Sequence, residues 1–137
     1  MSFINEIVND IGNEYATLAS DIDETETFVD TGSCILNALI SGSCNGGISA
    51  NKITAIAGES STGKTFFSLA VVRSFLSNNP DAIVVYYDTE SAITRSLLDE
   101  RNIDTTRVVV MNVVTIEEFR TKALQCVDKS LKLKEDE

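Results

Sequence analysis

The octapeptide Gly58-Glu59-Ser60-Ser61-Thr62-Gly63-Lys64-Thr65 satisfies G-x-x-x-x-G-K-[ST] in full. Its surroundings constrain the fold more than the pattern does. ITAIAG, just upstream, is a β-branched apolar run that predicts a strand over residues 53–57, and KTFFSLAVVRSFLS predicts a helix over 64–77. A strand that turns through two glycines straight into a helix is the start of an α/β unit. Two further strand-like runs follow, AIVVYYD and RVVVMNV, separated by helical segments at 92–101 and 115–131. Pro80, the only proline, stands between the 64–77 helix and the second strand, where that helix has to have stopped. This alternation predicts a parallel sheet with helices on both faces. In the last segment Ile116, Phe119, Ala123 and Val127 share one face, which reads as ordinary core packing.

The chemistry of the octapeptide follows from its residue types. Glycine at 58 and 63 permits backbone shapes that present successive N–H groups to a phosphate, and a helix N-terminus adds its partial positive charge. Lys64 is then expected to reach the β- and γ-phosphates, and the Thr65 hydroxyl to bind a magnesium ion. The second strand ends in Asp88-Thr89-Glu90. In open parallel sheets ligands gather beyond the carboxyl ends of the strands, so both acids are expected at the same crevice as the loop. Either Asp88 orients the magnesium, or Glu90 positions and deprotonates a water that attacks the γ-phosphate; acids that merely end a strand in solvent are the third reading.

Upstream, Ile4, Ile7, Val8, Ile11, Tyr15 and Leu18 form an apolar stripe at helical spacing, opposite Glu6, Asp10 and Glu14. The stripe packs either on its own domain or on a neighbouring subunit. DIDETETFVDTG, 21–32, reads as a solvated linker into a short helix from Cys34 to Ile40, and SGSCNGGIS as a glycine-rich turn. Residues 1–30 are therefore set apart from 31–137.

Charge and cysteine usage exclude several classes. The chain has 21 acidic against 11 basic residues in 137, and its first thirty residues hold eight acids and no base. Such a surface repels nucleic acid and anionic membrane when taken whole. Three cysteines with no histidine suggest neither a disulfide framework nor a zinc site, and read as reduced thiols. No apolar run approaches the ~18 residues of a membrane span, and no secretory leader is evident, so a cytoplasmic protein is expected.

IAGESSTGKTFFSLAVV, YYDTESAIT and the upstream FVDTGSCILNALISG together resemble the N-terminal half of RecA-class recombinases, most nearly the UvsX type of T4-like bacteriophages. The likeness runs from Phe28 to Val114, nearly two thirds of the chain. It implies a P-loop NTPase core of RecA-like form, a partial parallel sheet flanked by helices and preceded by an amphipathic protomer-docking helix. It implies binding of ATP and Mg2+ between subunits of a filament on single-stranded DNA, with homologous pairing and strand exchange in recombination, repair and recombination-dependent replication. By the same resemblance, Gly58, Glu59, Ser60, Ser61, Thr62, Gly63, Lys64 and Thr65 hold the phosphates and metal, Glu90 is the catalytic glutamate and Asp88 a supporting acid. Leu97 stands where the family commonly stacks a tyrosine on adenine.

The family continues into a Walker B strand and DNA-contacting loops that this sequence does not include. The isolated chain is accordingly expected to bind Mg-ATP weakly, to turn it over slowly and to expose a sheet edge. The alternative is a free-standing nucleotide-binding module that joins or interferes with recombinase filaments without catalysis. A small P-loop kinase fits less well, because Arg95, Arg101 and Arg107 are scattered and read as solvated rather than as an arginine-rich lid.

Overall fold

The computed structural model describes Ile7 and residues 27–135. The expected N-terminal stripe lies outside the described residues, Ile7 apart. The described part runs β1 (Phe28–Val29), α1 (Cys34–Ser41), β2 (Ile48–Ser49), α2 (Lys64–Asn78), β3 (Val84–Asp88), α3 (Arg95–Glu100), a 3-10 turn (Thr105–Arg107), β4 (Val108–Asn112) and α4 (Ile116–Glu135).

β3 and β4 pair in parallel and in step, from Val84 opposite Val108 to Asp88 opposite Asn112. Alternation along β3 sends its side chains to two different layers. Val84 and Tyr86, with Val108 of β4, pack beneath α2 and α3 around a core of Leu69, Leu76, Leu98 and Ile103. Leu69, Val72 and Leu76 recur at three- and four-residue spacing, so a single stripe of α2 meets the strands. On the opposite face Tyr87 meets Phe119 of α4 edge to face, ring centroids 5.0 Å apart and planes at 87°. The chain is thus a mixed α/β protein with a short parallel strand pair flanked by helices. None of its described helices is long and apolar enough to cross a membrane.

Three sequence expectations are corrected. Residues 53–57 are not a strand: they are irregular and exposed, Ile53 completely so, because among the described residues β3 and β4 pair only with each other and offer this segment no ladder. A run of apolar residues becomes a strand only when another strand takes up its N–H and C=O groups. Part of the supposed solvated linker does pair: Phe28 and Val29 form an antiparallel ladder with Ser49 and Ile48. In α4, Ile116 (80%), Val127 (54%) and Phe119 (44%) are exposed rather than in the core, since the helix begins beyond the end of the strand pair and only two strands among the described residues lie beside it.

The segment leading to α1 is held by one side chain. Asn37, 3% exposed, accepts from the Thr31 N–H (3.1 Å) and hydroxyl (2.6 Å), and donates to Asp30 Oδ1 (2.7 Å) and the Cys44 carbonyl (3.1 Å). Those four bonds use the full capacity of an amide side chain. The amide group of Asn37 lowers the Asp30 carboxyl below its usual range, with help from the Gly32 N–H.

Candidate functional site

Three of the described helices begin under a hydroxyl cap. Ser33, Thr94 and Thr115 accept from the N–H groups of Leu36 (3.4 Å), Leu97 (3.3 Å) and Glu118 (3.1 Å), each in the first turn of its helix. α2 differs. Its N-cap is Gly63, in the left-handed region at φ 91°, with no side-chain cap bond. The first-turn amides of a helix have no carbonyl partner within it, and here no side chain supplies one. The fifteen residues of α2 align their dipoles toward that end, so the N-terminus is suited to hold an anion.

The loop before α2 is closed by its own polar groups. The Lys64 ammonium folds back and donates to the carbonyls of Gly58 (2.9 Å) and Glu59 (2.7 Å), while the Thr62 hydroxyl donates to the Glu59 carbonyl (2.8 Å). Gly58 admits this closure because a β-carbon there would press on Thr62 Oγ1 at 3.0 Å. Ser61 takes a left-handed φ of 63° on the same loop. Residues 58–65 therefore gather a flexible cation, two hydroxyls on Thr62 and Thr65, and the uncapped helix end in one place.

Asp88 and Glu90 lie on the loop that leaves β3. Asp88 is 6% exposed, and its two carboxylate oxygens accept from the N–H groups of Glu90 (3.0 Å) and Ile93 (2.9 Å). Burial pushes this carboxyl up, but the N–H groups of Ile93, Glu90, Ala92 and Ser91 outweigh it and hold the group below the usual carboxylate range. Asp88 thus shapes the 89–94 loop through its backbone amides. Glu90 is exposed on that loop. Among the described residues no hydrogen bond or ion pair joins this acidic loop to residues 58–65.

Two arginines are less solvated than the sequence suggests. The Arg101 guanidinium lies over the Phe66 ring, 4.0 Å from its centroid, and so stands beside the first turn of α2. Its Nε is buried with no hydrogen-bond partner among the described residues. Arg107 donates to the carbonyls of Asn79 (3.0 Å) and Pro80 (2.9 Å) and to Asp104 (2.9 Å), tying the end of α2 to the 3-10 turn. Arg95 does remain at the surface, beside Asp99. Leu97 packs against the core cluster. No sequence signal marked Arg101, because its partner lies 35 positions away.

No family model matches the chain. Over 94 residues it is 31% identical to the recombination and repair protein of Enterobacteria phage T4, an alignment covering 69% of this chain and 24% of that protein. The chain therefore spans about a quarter of the length of the curated relative it matches. It is distantly related to a phage recombination and repair protein.

Proposed function

We propose that this chain is the ATP-binding portion of a recombinase that assembles on single-stranded DNA and promotes homologous pairing. The observation that carries the reading is the Lys64 ammonium, closed over the Gly58 and Glu59 carbonyls at the uncapped N-terminus of α2, in a chain related to a recombination and repair protein.

The residues present fit a nucleotide triphosphate. Lys64 holds the loop shut with bonds to two neutral carbonyls, which it can exchange for more strongly attracting phosphate oxygens. The amides following Gly63 supply neutral donors, and Thr65 a hydroxyl for Mg2+. Magnesium usually takes one or two protein ligands and completes its shell from phosphates and water, so no dedicated acidic cluster is required. Bound Mg-ATP supplies the transferable γ-phosphoryl group. Glu90, exposed beyond β3, is the residue we assign to position and deprotonate the attacking water; Asp88 acts on it through the loop backbone, as a positioning residue. Leu97 offers no aromatic ring to stack on the adenine and packs against the core instead. Single-stranded DNA and neighbouring protomers are the partners of the proposed assembly.

Titration calorimetry of the chain with ATP in Mg2+ buffer tests the reading. Weak, saturable binding is expected, and its loss in Lys64→Ala with the circular dichroism spectrum unchanged. A folded wild-type chain that takes up no ATP overturns the proposal. Turnover measured with and without single-stranded DNA tests the catalytic assignment, since Glu90→Gln is expected to abolish whatever hydrolysis the wild type shows while leaving binding intact.

A further inference from the structure

α1 and the turn after it bring two cysteines together that lie ten positions apart. Gly42 ends the helix in the left-handed region, with its N–H on the Ala38 carbonyl, and reverses the chain. The turn then folds back along α1: the Gly46 N–H reaches the Ser43 carbonyl, and the Gly47 N–H reaches Ser41 Oγ. Gly46 leaves room for this, because a β-carbon there would collide with Ser41 Oγ. Asn37 Nδ2 holds the Cys44 carbonyl at 3.1 Å. Cys34 and Asn37 are three residues apart and so share a helix face. The Cys34 thiol thereby shares a cleft with Cys44, a neighbour that raises it above the usual thiol range, with desolvation adding to the effect. Both thiols are free and exposed, and both line one open cleft of about 600 Å³.

We propose that Cys34 and Cys44 form a redox-modification site, a dithiol that a small-molecule disulfide converts to an intramolecular disulfide. Either thiolate attacks one sulfur of the external disulfide, breaking its S–S bond and releasing one small thiolate. The second cysteine, deprotonated, attacks the resulting mixed disulfide and releases the other small thiolate. The chain loses two protons and two electrons, and the external disulfide is reduced to two thiols. Closure would fasten the 42–47 turn to the first turn of α1. Cys126 takes no part: it lies half-buried on α4, beside Tyr87 on the far side of the strand pair.

The test uses the whole chain and oxidised glutathione as probe. After incubation, iodoacetamide labelling should show the loss of two of the three thiols, intact mass should fall by two hydrogens, and peptide mapping should recover a Cys34–Cys44 link that dithiothreitol reverses. Cys34→Ser and Cys44→Ser should each instead retain one glutathione as a stable mixed disulfide. The proposal is overturned if the wild-type chain stops at a mixed disulfide, links either residue to Cys126 or to a second chain, or keeps all three thiols reduced in excess probe.

Discussion

Replacing Asp88 with asparagine separates a loop-shaping carboxylate from one that is simply exposed at a strand end. Its oxygens hold the Glu90 and Ile93 amides at 3.0 and 2.9 Å in a site 6% exposed. A hydrogen bond to a charged acceptor contributes about 1.5–3 kcal/mol, and desolvation of the carboxylate offsets part of the pair. An asparagine keeps one acceptor oxygen and turns an NH2 group toward the other backbone donor. A loss of about 2–3 kcal/mol is expected at neutral pH. With a urea slope of roughly 1–2 kcal/mol/M for a chain of this size, the unfolding midpoint should fall by about 1–3 M. The pH dependence carries the sign. Because the folded-state carboxyl lies below its unfolded value of about 4, protons bind the unfolded chain preferentially. Its stabilisation is complete above that value and is lost as pH falls through the folded one. The gap between wild type and Asp88→Asn should therefore be constant from about pH 5 to 8 and should narrow below about pH 4. Urea titrations followed by circular dichroism measure both effects. Equal midpoints at pH 7, or a gap that does not close in acid, would refute the assignment.

Gly63→Ala should abolish ATP binding while costing the fold only about 1–2 kcal/mol, because φ 91° strains any β-carbon although nothing lies within 4 Å of it; calorimetry and a urea titration read the two effects separately. Asn37→Ala leaves the buried Thr31 N–H and hydroxyl without their partner and should lower stability by about 2–4 kcal/mol, seen in the urea midpoint. The Asp104 carboxyl is held at about 2 by its bonds to the Thr106 hydroxyl, Arg107 and the Thr106 N–H. An NMR pH titration should find it there and should find it shifted upward in Arg107→Ala. The stability linked to it is present above the ordinary carboxylate value and is lost as pH falls toward 2.

Whatever depends on neighbours in sequence was legible from the sequence. α1, α2, β3 and β4 fall where periodicity and turn residues put them, because their hydrogen bonds or apolar stripes are set by spacing within the segment. The start of α2 directly after Gly63 was legible in the same way. The tertiary structure decided what depends on a distant partner. ITAIAG has the composition of a strand, yet a strand's hydrogen bonds belong to its neighbour, and none is offered to it among the described residues. Asp88 was recognised as an acid at a strand end, but which amides turn toward it depends on the path of the loop that follows. Arg101 over Phe66, and Cys34 beside Cys44, arise from chain reversals that bring separate segments together. Spacing along the chain determines the residues' local geometry; only packing determines which of them meet.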